Sequence, residues 1–206
     1  MAKVSAPFLS LGASGTVAGT LTASRWKGIK TMRQKSEPAN PNTAKQQAQR
    51  GKMRNAVSFW RFIIVAAAMK LGWNVTASLS GKPQSGFNSF TALAIKAQAL
   101  DADAPMCKSV SVPTTTHDEV DINMNVAKIS DGGYYEANGN CGVLKFGAAP
   151  DQLIHSATIA GGGDDVIQVV NLDTGMASGD TLYYQASFTI SGQSIPITGI
   201  MSVELT

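Results

Sequence analysis

The side chains able to do chemistry are few, and they are poorly spaced for it. His117 and His155 are the only histidines, and Cys107 and Cys141 the only cysteines. No HExxH pair sets two imidazoles on one helical face, and no cysteine spacing suits zinc. No serine sits in a GxSxG turn. His117 stands beside Asp118 and Glu119 in a loop-like stretch, and His155 in a strand-like one; both read as structural residues. Gly161-Gly162-Gly163-Asp164-Asp165 offers two carboxylates to a calcium ion, but reads first as a solvated turn. The glycines at 12–19 lack the Gly-Lys-Ser/Thr ending of a phosphate-binding loop. No catalytic residue, metal ligand or cofactor is therefore assigned, and the chain is read as non-enzymatic.

What remains is the chemistry of recognition. Arg25, Lys27, Lys30, Arg33 and Lys35 fall within eleven residues, with Trp26 and Ile29 among them. On one continuous strand, Arg25 and Lys27, with Arg33 and Lys35, share a face and Trp26 takes the other. Such a ribbon can cover an acidic protein surface or grip nucleic-acid phosphates. It can also be a solvated face with Trp26 in the core. Protein contact is the reading favoured, which makes Arg25, Trp26, Lys27, Ile29, Lys30, Arg33 and Lys35 candidate interface residues.

The elements that must position this ribbon differ on its two sides. Residues 6–33 are β-like and rich in glycine. The run Gly15-Thr16-Val17-Ala18-Gly19-Thr20-Leu21-Thr22 carries small side chains on both faces, which suits an edge strand that pairs with another chain. After the turn Pro38–Thr43, Thr43 and Gln46 fit a capping box. Met53, Val57, Trp60, Ile64, Ala67 and Leu71 then recur at steps of 4, 3, 4, 3 and 4. The spacing predicts one helix of about 28 residues and ~40 Å, ending at Gly72. A stripe that long exceeds what one small half can cover, so Met53, Val57, Trp60 and Ile64 join the candidate interface. A second helix is predicted over Ser85–Leu100, with Phe87, Phe90, Ala94 and Ala97 on one face.

Beyond Pro105 the period changes to two. Val120, Ile122, Met124 and Val126 alternate with polar residues, as do Leu182, Tyr184, Ala186, Phe188 and Ile190. Further strands are predicted near 107–113, 141–147, 152–160, 165–172 and 194–205. Seven short strands in about 100 residues suggest an immunoglobulin-like sandwich, although its core Trp is missing because none lies beyond Trp73.

Residues 6–98 together resemble a family of largely uncharacterised bacterial and phage proteins. The shared frame is Leu11-Gly12-Ala13-Ser14-Gly15-Thr16-Val17, then Trp26-Lys27-Gly28 with Arg33. Asn40-Pro41-Asn42-Thr43 follows, with Gln46, Gln49, Arg50, Val57 and Trp60, and Ser85-Gly86-Phe87-Asn88-Ser89-Phe90 closes it. Gly72-Trp73-Asn74 departs from it, because the family often has a Trp-rich acidic stretch there. The resemblance implies a structural protein of a tailed-phage virion, assembled in the host bacterial cytoplasm, and supplies no catalytic residues.

Charge divides the 206 residues sharply. Residues 1–100 carry 14 Lys and Arg against Glu37 alone, a net of +13, whereas 101–206 carry 3 against 13 acids, a net of −10. The expected class is α+β. A basic β-ribbon with a long helix (1–104) anchors and oligomerises, and an acidic immunoglobulin-like sandwich (105–206) follows and folds by itself. The longest apolar run, Phe62–Met69, is far short of the ~20 residues a spanning helix needs. No secretory signal is read at the N-terminus, so Cys107 and Cys141 are expected as free thiols, with a bridge as the alternative. The expected partners are sister subunits and other virion proteins, at the head surface first and in the tail or connector second. Nucleic acid is the alternative of another class, and no membrane partner is expected.

Overall fold

A computed structural model of the protein describes residues 2–3, 14–37, 42–64, 66–116, 119–162 and 166–206. The chain divides into two compact units, Met1–Thr43 and Ala44–Thr206.

The first unit is built around tight turns. Lys27 (φ +48°) and Gly28 (φ +81°) are both left-handed, as the two central residues of a type I′ hairpin turn must be. This turn joins β3 (Leu21–Trp26) to β4 (Ile29–Gln34). Ala18 (φ +48°) and Gly19 (φ +69°) repeat the device between β2 (Gly15–Val17) and β3. With β1 (Ala2–Lys3) they form an antiparallel sheet in the order β1-β4-β3-β2. Among its described side chains only Ala23 and Thr31 are buried.

The second unit begins with helices. α1 (Ala44–Ser58) starts directly after Thr43 and runs into a π-helical turn, Phe59–Ile63. The Ile64 amide donates to the Phe59 carbonyl at 2.9 Å, and Ile64 then leaves helical geometry at ψ 83°. α2 (Ala67–Leu79) follows, and α3 (Gly86–Leu100) opens with Ser85, whose hydroxyl accepts from the Asn88 amide at 3.3 Å.

The single helix expected to Gly72 is therefore two helices. A ~40 Å rod cannot lay its apolar side along α3, which is about 22 Å long. The break lets both α1 and α2 pack on α3. The buried line is Ala56, Phe59, Ile64, Met69, Trp73 and Ala77, whose five-residue steps straddle the π turn. Gly72 lies inside α2, not past its end, because a side chain there would meet Met201 Sδ at 2.7 Å and the Ile200 carbonyl at 2.9 Å.

The strands come near the expected segments, but 194–205 forms two strands, broken at 197–200. They are β5 (Pro105–Thr116), β6 (Glu119–Lys128), β7 (Asn138–Gly147), β8 (His155–Gly162), β9 (Val166–Leu172), β10 (Thr181–Ile190), β11 (Gln193–Pro196) and β12 (Met201–Glu204). They form one eight-stranded sheet in the order β11-β10-β7-β8-β9-β6-β5, with β12 also on β10. β7, β8 and β9 form a meander, and β10 returns to lie beside β7, which is a Greek key. The sheet curls until its edges meet. The Cys107 amide donates to the Ile197 carbonyl at 3.3 Å, and the Thr206 amide to the Thr115 carbonyl at 2.7 Å.

Val120, Ile122, Met124, Val126, Leu182, Tyr184, Ala186, Phe188 and Ile190 all point into a core that also holds Phe59, Trp73 and Phe90. This shared core corrects the boundary expected at 104/105. The helices cover the sheet instead of standing apart from it, and the chain divides at Thr43. Cys107 and Cys141 are not joined in a disulfide.

Candidate interaction surface

The basic ribbon is a hairpin, and that changes which cations stand together. Arg25 lies directly opposite Lys30, on the same face as Ala23 and Met32. Arg33 opposes Thr22 on the other face, with the pair Ser24 and Thr31, whose hydroxyls meet at 2.9 Å. Lys27 sits at the turn, and the Lys35 amide donates to the Thr20 carbonyl at 2.7 Å. The expected row of Arg25, Lys27, Arg33 and Lys35 on one face is thus corrected, because the turn at 27–28 interrupts the two-residue period. The Trp26 side chain is outside the described part of the structure. Arg25, Arg33 and Lys35 are exposed, as are Val17, Leu21 and Ile29.

The helical candidates divide. Ile64 is fully buried in the chain's own core, so it has no surface left for a partner. Trp60 is half-buried, with its ring 5.3 Å from Phe90 and 5.7 Å from Phe87, and Lys70 Nζ lies 5.9 Å from its centre. Val57 is half-buried and Met53 exposed. Val57 and Trp60 lie one residue beside the buried Ala56 and Phe59, Ala67 and Leu71 two residues from Met69 and Trp73, and Leu71 is 63% exposed. Lys45, Arg50, Arg54 and Arg61 are exposed, and residues 44–100 carry eight Lys and Arg with no acid.

The acids gather by topology. Glu119 opens β6, the Val120–Leu172 pair brings Asp173 to the same end, and the Thr181–Glu204 pair adds Asp180 and Glu204. β7 ends there as well, since Gly147 pairs Tyr183, which places the 148–153 connection and its exposed Asp151 at that end.

A cavity of about 510 Å³ opens between β8 and β9. Among the described residues those strands pair at Ala160–Gln168 and Gly161–Ile167 and then splay apart. Small and aliphatic residues line the gap, and Asp173 is its one ionisable side chain among the described residues. General acid–base chemistry there has no second titrating partner among the described residues. This gap was not legible in the sequence, because alternation locates strands but not how far a ladder runs.

The remaining expectations fall elsewhere. His155 is exposed, its ring stacked on Phe146 at 5.3 Å. His117, with Asp118, and Gly163-Asp164-Asp165 lie outside the described residues. Among the described residues no three His, Cys, Asp or Glu side chains gather as a metal set. No described helix is long and apolar enough to cross a membrane. No known family model matches the chain, and no curated protein matches it.

Proposed function

We propose that the protein is a non-enzymatic structural component that assembles through its basic N-terminal sheet. One observation carries this reading. The first unit buries only Ala23 and Thr31 among its described side chains, yet exposes Val17, Leu21 and Ile29. A small sheet without a covered apolar face is marginal in water. It gains stability when another chain covers it, and its cations steer it toward an acidic one.

The setting proposed is the virion of a tailed phage, as the resemblance of residues 6–98 implies, with a head-decoration role first and a tail or connector position second. An immunoglobulin-like ancestry of the curled sheet is a further proposal, supported by its Greek-key order. Mass spectrometry of purified phage particles from a host that makes the protein should find it at many copies per virion. Its absence from particles overturns the virion reading.

A second reading is nucleic-acid binding, favoured by the eight cations and no acids over residues 44–100. It requires a DNA mobility shift that weakens steeply with salt. Assembly alone, with no such shift, excludes it.

A further inference from the structure

Among the described residues, β2 and β9 each present a strand edge without a partner, and the two edges match. β2 is the outer strand of its sheet, and Gly15, Thr16 and Val17 are all exposed. In the curled sheet, among the described residues β9 pairs β8 through Gln168 and Ile167, so 169–172 present an open edge across the 510 Å³ gap. Four residues of strand span about 13 Å, the length that Ser14–Val17 would occupy. An open edge is a template for another strand, because its amides and carbonyls are already aligned. Val170, 56% exposed at the gap, is the apolar surface a docked strand would cover.

From this geometry we infer that β2 of one copy adds to the open edge of β9 in a second copy. This rests on the assembly reading above and names its contact. The occupant is a second copy because charge selects it. Residues 1–43 carry six Lys and Arg against Glu37, a net of +5, while the end of the sheet where the gap opens carries Glu119, Asp173, Asp180 and Glu204. The gap itself has Asp173 at its rim. β2 brings the β3–β4 hairpin and its cations with it. Small side chains on β2 let the backbones approach closely. The contact is heterologous, since the two copies use different surfaces, and it generates a ring or a filament.

The test uses the full chain with Cys141→Ser, which removes the half-buried thiol. Thr16→Cys and Val170→Cys are made as separate proteins, mixed and gently oxidised. The mixture should give disulfide-linked dimer at least tenfold above either protein alone, and high salt before oxidation should reduce the yield several-fold. Val170→Lys, at an exposed position, should raise the concentration needed for self-association about tenfold. Self-association without the mixed dimer, and unaffected by Val170→Lys, overturns the β2–β9 contact while leaving assembly intact. A chain that sediments as a monomer at hundreds of micromolar overturns both.

Discussion

Cys107 is fully buried on β5, and burial pushes its thiol from 9.0 up to about 12, although the thiol donates to the Ser109 carbonyl at 3.2 Å. The unfolded thiol ionises near 9.0 and the folded one near 12. Below pH 9 both states hold the neutral thiol, and its contribution to stability is fully present. Between those values only the unfolded state loses the proton, so stability falls as pH rises, by up to about 4 kcal/mol. Tyr184, raised by burial and then by Cys107, adds to the same fall. Denaturant midpoints measured from pH 8 to 11 should therefore drop, and Cys107→Ala should flatten part of the slope. An unchanged slope in that variant removes Cys107 as a cause. At the same scale, Gly199 lies against the backbone of Gly72 and Trp73, so an added methyl has no flexible neighbour to displace. Gly199→Ala should cost about 1–3 kcal/mol by overpacking, read from chemical denaturation, whereas Gly51→Ala, with open space around it, should be neutral or stabilising.

Among the elements, the hairpin turn and α3 carry the sharpest consequences. Lys27 holds a left-handed conformation that costs a branched or long side chain about 1 kcal/mol and suits asparagine. Lys27→Asn should slow amide exchange along 21–34 by several-fold without changing the helices. Exchange that stays the same or speeds up means the turn does not limit the hairpin. α3 is the element both other helices need. Phe90 is fully buried, with ring centres of Phe59, Trp60 and Trp73 at 6.1, 5.3 and 5.4 Å. Phe90→Ala should cost about 3–5 kcal/mol. Trp60→Ala should cost less, because Trp60 is only half-buried. The reverse order would mean that Trp60 is covered by another chain in solution, which the assembly reading accommodates.

For the whole molecule, the question is which piece folds alone. Helices and strands share one core, and backbone bonds tie Ile129 to Ala104 and Ile200 to Gly72. Residues 44–206 should unfold in a single cooperative transition. Residues 105–206, which lack the helices, should lose that cooperativity or aggregate, because the core face around Ile197 and Met201 is uncovered. Equal stability of the two fragments would restore the boundary at 104/105. The +8 over residues 44–100 and −10 over 101–206 belong to one unit, so the asymmetry does not mark a boundary between two bodies.

The sequence by itself determined most strands of the second unit. Strict alternation leaves only one way to bury Val120, Ile122, Met124 and Val126, whereas the I′ turn at Lys27-Gly28 interrupts a ribbon that reads as one strand. It also located α3, from the Ser85 cap to Leu100. Three things only the tertiary structure decided. The helix broke after Phe59–Ile63 because packing on α3 outweighs a local period that has no proline or glycine to interrupt it. The sheet curled into one closed layer because closure satisfies the edge amide of Cys107 and the carbonyl of Thr115. The gap between β8 and β9 opened because each strand follows its better-paired neighbour, β7 or β6, and pairing partners far apart in the chain leave no local trace in composition.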